Sequence, residues 1–228
     1  MEIINGMIFD NIYYFILFCV FVRSSYFITD IVLKNTTKKY LTLDNDKQQY
    51  VQKNIVKSIN LACLTVYGVS QVIYPIVMYN TWDNDIIRIC GVFYSSNDFV
   101  ALLYVNKLSQ STKNHHKITV FLSFVALTVD FKTSTLGKMM FIYTFSSTTT
   151  YLVNTYLGMR FLYEKGGLIK MKKNARNIYG VSLLFNWCWH IHWCINNFNL
   201  LGVEHYLYFL LLFFIIKDDV LLFKWLCE

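Results

Sequence analysis

Asp98 lies inside the apolar run from Ile86 to Asn106, in Tyr94-Ser95-Ser96-Asn97-Asp98, and an adjacent pair, His115 and His116, opens the next apolar run. A short carboxylate side chain more than two turns from the end of such a run cannot reach an interface, so it needs a partner or a wet cavity. A helical hairpin brings two residues to equal depth when its turn falls midway. The midpoint of Asp98 and the histidines is near Asn106 and Lys107, where the apolar run ends. A carboxylate beside an imidazole fixes the ring's tautomer and stabilises its protonated form, leaving the other ring nitrogen to take a proton or attack a carbonyl carbon. Neighbouring helical residues are turned by about 100°. Both histidines can therefore edge into one cavity, but they lack the i, i+4 spacing of two-histidine zinc sites, and no metal is expected. The plainer alternative is a solvated, positively charged helix start made by His115, His116, Lys113 and Lys117.

The elements that must hold these groups are apolar. Of 228 residues, 55% are hydrophobic and 15% are charged, with a single proline. Soluble chains carry roughly 25% charged residues, so much of this surface is expected never to meet water. Disorder, collagen and disulfide scaffolds are excluded by the same composition. Apolar runs at 8–29, 55–79, 86–106, 116–131, 138–162, 177–198 and 200–216 predict an all-α fold, a multi-pass transmembrane bundle of about seven helices. The fourth run is short: about sixteen residues rise about 24 Å, so residues 108–114 are needed to extend it. The expected organisation is a first helix with a basic cytosolic loop over 1–47, a membrane domain over 48–216 and a cytosolic interfacial tail over 217–228.

Lysine and arginine alternate between loops. Lys34, Lys38, Lys39, Lys47, Lys53 and Lys57 fall in the first, Lys107, Lys113 and Lys117 in the third, and Lys165, Lys170, Lys172, Lys173 and Arg176 in the fifth. The even loops hold Arg88, Lys132 and Lys138. Positive loops stay cytosolic, so the amino terminus is expected on the lumenal or external side and the carboxyl terminus in the cytosol. The net charge of +7 then reads as topology plus attraction to anionic lipid, and no nucleic-acid partner is expected.

Other polar residues have structural readings. Ser146, Ser147, Thr148, Thr149 and Thr150 either allow close helix packing or line a substrate path. His190 and His192, among Trp187, Trp189 and Trp193, read as an aromatic interface belt, and His205 beside Glu204 as interfacial. The six cysteines sit mostly within apolar runs, with no CxxC pair, and read as small hydrophobes.

In order and type these features resemble the TLC domain family, which includes ceramide synthases and translocating-chain-associating membrane proteins. A basic stretch leads into Lys57-Ser58-Ile59-Asn60, a later helix carries Tyr94-Ser95-Ser96-Asn97-Asp98-Phe99, and His115-His116-Lys117-Ile118-Thr119-Val120-Phe121-Leu122 is similar to the HHxxTxxL opening of the ceramide synthase motif. The resemblance spans roughly residues 48–216 and implies a six-helix TLC-type core with one helix outside it. Asn60 stands where many relatives have histidine. The acidic pattern that follows the pair in ceramide synthases has no counterpart in Phe145 to Tyr156.

The resemblance implies acyl transfer from acyl-CoA to a lipid amine in the endoplasmic reticulum, with His115 or His116 as base or nucleophile and Asp98 as the orienting group. Asn60, Ser146, Thr149 and Asn154 are the candidate substrate-binding residues. Acyl-CoA would be a substrate, with no tightly bound cofactor. The expected partners are membrane lipids, with a homodimer as the candidate assembly. The alternative is a non-enzymatic lipid-binding or membrane-composition regulator, which the missing acids favour. A seven-helix receptor is disfavoured by the absence of an aspartate-arginine-tyrosine run and of an asparagine-proline motif. A retinal protein is disfavoured by the absence of a lysine from Leu200 to Ile216.

Overall fold

The computed structural model describes residues 2–228, with side chains described from Asp10 onward except that of Lys165. Its helices are α1 (Glu2–Thr36), α2 (Lys38–Leu41), α3 (Asn45–Gly68), α4 (Tyr74–Tyr79), α5 (Asn84–Tyr104), α6 (Gln110–Ala126), α7 (Thr135–Thr148), α8 (Tyr151–Met159), α9 (Ile169–Asn196) and α10 (Val203–Cys227), with no strand among the described residues. A π-turn at Val69–Ile73 joins α3 to α4. A two-residue break at Thr149 and Thr150 separates α7 from α8. Seven rods result.

Short polar side chains set where rods begin. The Lys47 N–H donates to Asp44 Oδ1 at 2.8 Å ahead of α3, the Asp85 and Ile86 N–H groups to Asp83 ahead of α5, and the Gly137 N–H to the Ser134 hydroxyl ahead of α7. Each satisfies amide groups that have no partner inside the first helical turn. Ser109 does the same for α6 by accepting from the Thr112 N–H. This helix therefore starts well before residue 116, as its short apolar run requires, and ends at Ala126 rather than 131.

Contacts run from α3 to α8, α8 to α9, α9 to α10, α10 to α6, α6 to α5 and α5 back to α3. Six rods thus close into a ring, and α1 packs outside it against α5 and α3. The most extensive contact in the ring is between α8 and α3. There Gly158 sits so near α3 that a Cβ would lie 2.9 Å from Ile55 Cγ1.

Three stretches, Asp10–Thr36, Asn45–Tyr79 and Asn84–Tyr104, are long and apolar enough to cross a membrane. The rods α9 and α10 also carry polar and charged residues, and several of them, including Asn186, His190 and Asp219, are buried in the bundle. On α9, Tyr179, Ser182, Asn186 and His190 are buried, while Val181, Leu184, Phe185, Ile191 and Ile195 are exposed. A surface helix in water turns its apolar stripe to the core; this one is inverted.

Two readings of the sequence change here. Lys53 and Lys57, counted as loop residues, lie within α3 and are buried, because the polar stretch before residue 55 is already helical from Asn45. Residues 217–228, expected as a separate interfacial tail, continue α10 to Cys227, with Asp219 and Leu226 buried against the bundle.

Candidate functional site

The ring encloses a cavity of about 470 Å³. Every rod of the ring contributes to its wall, including Lys53 and Lys57 from α3, Tyr94 from α5, His115 and His116 from α6, Ser146 from α7, Asn154 from α8, Ser182 and Asn186 from α9, and Asp218 and Asp219 from α10. Its mouth lies where α3 begins and α5, α8 and α10 end, beside Lys107, Ser109, Arg160 and Trp225. A smaller apolar pocket of about 80 Å³ shares Tyr94 and Tyr143 with the cavity and extends toward Leu64, Val72 and Phe131.

Asp98 is fully buried and sits at the centre of the charge network. Its Oδ1 is paired with the Lys57 ammonium and lies 3.0 Å from His116 Nδ1. The hairpin therefore closes as its midpoint requires, through the turn at residues 105–109. His116 is 4% exposed, and neither ring nitrogen has a hydrogen-bond partner among the described residues, so Nδ1 meets Asp98 as a close charge contact and Nε2 meets nothing. With the proton biased to Nδ1 by the carboxylate, Nε2 carries the lone pair, the state a general base or nucleophile needs.

The second histidine faces a different acid pair. His115 Nδ1 is 3.3 Å from Asp218 Oδ2 and 3.9 Å from Asp219 Oδ1. The Thr112 hydroxyl donates to Asp218 and the Tyr179 hydroxyl to Asp219, at 3.2 and 2.8 Å. The rings of His115 and His116 meet edge to face, with centroids 5.7 Å apart. The two histidines are thus inequivalent: one is oriented from α5, the other from α10.

Ligand atoms of Asp98, His115 and His116 lie within 4.8 Å of one another, close enough for one cation. Lys57 already places an ammonium on Asp98 Oδ1. A metal ion would have to sit beside that positive charge, so the donor set suits a proton-handling pair better than a metal centre.

The other candidates separate. Ser146 and Asn154 line the cavity. The Ser146 carbonyl accepts from the Ser182 hydroxyl at 2.7 Å, tying α7 to α9. Thr149 turns to an outer groove shared with Asn177, Ile178, Val181 and Phe185, and its hydroxyl donates back to the Ser146 carbonyl. Asn60 is buried but does not line the cavity; its amide donates to Asn97 Oδ1 at 2.7 Å, bracing α3 against α5.

Four residues of the charge network were not singled out from the sequence: Lys53, Lys57, Asp218 and Asp219. Lys53 and Lys57 stand four apart in line with Leu61, one face of a helix, and that spacing is the signal that exposes them once α3 is known to start at Asn45. The apolar residues on both sides of the Lys217-Asp218-Asp219 cluster give the same warning for α10.

His190 and His205 are core residues rather than interfacial ones. His190 is 2% exposed and donates from Nδ1 to the Asn186 carbonyl at 2.8 Å, and its ring stacks on Tyr208. His205 is 2.8 Å from the Thr135 hydroxyl and stacks on Trp193. His192 is exposed.

No family model matches this chain, and neither a curated protein nor a solved structure matches it.

Proposed function

We propose that this is a seven-span membrane protein of the TLC type, acting on lipids by acyl transfer from acyl-CoA to a lipid amine inside the ring cavity. The observation that carries the reading is the buried pairing of His116 with Asp98 in the wall of a chamber large enough for a ligand. The inverted faces of α9 support further membrane crossings beyond the three most apolar rods, since Val181 and Ile195 are each more than two-thirds exposed and such a surface belongs in lipid. The basic loops lie at the mouth of the cavity, and retention of positive charge in the cytosol orients that mouth toward cytosolic acyl-CoA. The amino terminus is then lumenal, the carboxyl terminus cytosolic, and the endoplasmic reticulum the compartment the reading favours.

In this mechanism the lipid amine attacks the thioester carbonyl, forming a C–N bond as the C–S bond breaks. His116 Nε2 takes the amine proton and passes it to the departing thiolate, and Asp98 stabilises the imidazolium in between. His115, held by Asp218 and Asp219, orders the approach to the chamber.

The second reading is a lipid-binding regulator of membrane composition. Lys57 favours it, because its ammonium already neutralises the carboxylate oxygen that His116 approaches. Lipid mass spectrometry on cells expressing the wild type or His115→Ala/His116→Ala separates the two. A lipid class that rises with the wild type and not with the variant supports the enzyme. Equal lipid profiles from equally abundant proteins reject it.

A further inference from the structure

Two cations in the cavity wall have no counter-ion. Lys53 is 5% exposed and its Nζ lies 5.3 Å from the centroid of the Tyr50 ring. The Arg160 guanidinium lies 5.3 Å from the same ring, 4.7 Å from Phe161 and 4.6 Å from Trp225. Neither cation forms an ion pair among the described residues. The buried Arg160 Nε has no hydrogen-bond partner there. The nearby acids are committed elsewhere: Asp98 to Lys57, Asp218 and Asp219 to His115. Lys107, which also lines the cavity, differs in being paired with Asp46 at 2.7 Å.

Holding an ammonium out of water without an anion is costly, and an aromatic ring offsets only part of that cost. The three rings surround the guanidinium without accepting a hydrogen bond from it, which leaves N–H groups to grip two oxygens of one phosphate. Two cations beside one tyrosine ring suit a dianion better than a singly charged group. We propose that Lys53 and Arg160 form a phosphate-binding site at the mouth of the cavity, anchoring a phosphorylated ligand whose apolar part extends inward. The site rests on the acyl-transfer reading only in using the same chamber. Binding is read without turnover, so either can fail alone.

The test is binding of three probes to the full-length protein in lipid nanodiscs, followed by calorimetry and thermal melting. Inorganic pyrophosphate and coenzyme A represent a soluble phosphate, and phosphatidic acid supplied in the nanodisc represents a lipid headgroup. The expected result is saturable, salt-sensitive binding of at least one probe, weakened about tenfold or more by Arg160→Gln or Lys53→Met, as loss of one charge-assisted contact implies. Arg160→Lys should retain part of it. Lys170→Gln/Lys173→Gln, on the exposed surface of α9, should leave it unchanged. Lys53→Met removes an uncompensated charge, so it should melt no lower than the wild type without probe while losing the probe-dependent rise in melting temperature. Binding of pyrophosphate or coenzyme A assigns a soluble ligand, and binding of phosphatidic acid alone assigns a lipid headgroup; either sustains the site. No binding of any probe, or binding equal in wild type and both cavity variants, overturns it.

Discussion

His116 and His190 are both almost fully buried in the same bundle, yet their surroundings differ in kind. His116 has a carboxylate at 3.0 Å, an ammonium on that same carboxylate oxygen, and a free Nε2 in the wall of a cavity. His190 spends Nδ1 on a backbone carbonyl, has Nε2 3.4 Å from the Tyr208 hydroxyl, and is flanked by Trp187 and Trp189 with no acid in ion-pair range among the described residues. Burial alone therefore says little about a histidine's role. Its partners decide whether it can hold and release a proton or only fill space and satisfy a hydrogen bond.

Exchanging the two histidines in turn is the strongest way to break this comparison. His116→Ala should lower kcat/KM for acyl transfer by roughly 10²–10⁴, the usual worth of a positioned general base. His190→Leu should leave the rate within a few-fold and instead cost about 1 kcal/mol of stability from its lost hydrogen bond. Steady-state kinetics and thermal melting on both variants separate rate from stability. A rate loss at His190 equal to that at His116 would erase the distinction.

The ion pair at His116 has its own signature. Asp98→Leu strands the Lys57 ammonium and should cost about 3–5 kcal/mol, whereas Asp98→Leu/Lys57→Met should recover most of that loss. Denaturant titration of the two single variants and the double variant measures the coupling. A smaller effect is expected at Gly158, where α8 meets the helix carrying Lys53 and Lys57. Gly158→Leu should cost about 1–3 kcal/mol by overpacking against Ile55, detectable as a lowered melting temperature.

The smallest effect contrasts the buried Asp98 with a carboxylate in water. Asp130, in the loop between α6 and α7, is held below the usual carboxylate range by the Asn84 amide, the Lys132 N–H and the Thr133 hydroxyl. Because its folded pKa is depressed, its stabilising contribution is complete above the unfolded value of about 3.9 and fades as pH falls through the folded value. The melting difference between wild type and Asp130→Asn should accordingly be flat near neutral pH and shrink in acid.

The seven rods were legible in the sequence because apolar runs alternate with polar or charged stretches, whereas the caps Asp44 and Ser109, which start α3 and α6 ahead of their apolar runs, were not read from it. Asp98 and the histidine pair were legible because an ionisable group in an apolar run has few ways to exist. Lys53 and Lys57 were hidden by proximity to a basic loop: charge counting assigns them to water, whereas the helix that Asp44 caps carries them into the ring. Asp218 and Asp219 were hidden by Lys217, which made the end of α10 look like a membrane boundary. His190 was masked by three tryptophans, although Tyr179, Ser182, Asn186 and His190 share one helical face. In each case local composition pointed outward while the ring turned the polar face inward.

The most direct measurement supplies purified wild type, Asp98→Asn and His115→Ala/His116→Ala with a radiolabelled acyl-CoA and a mixture of long-chain amine and hydroxyl acceptors. The account predicts acylated amine from the wild type, a loss of several orders of magnitude in Asp98→Asn with the fold retained, and only background from the double variant. No acylated lipid from the wild type above the double-histidine variant, with lipid binding intact in both, would contradict it.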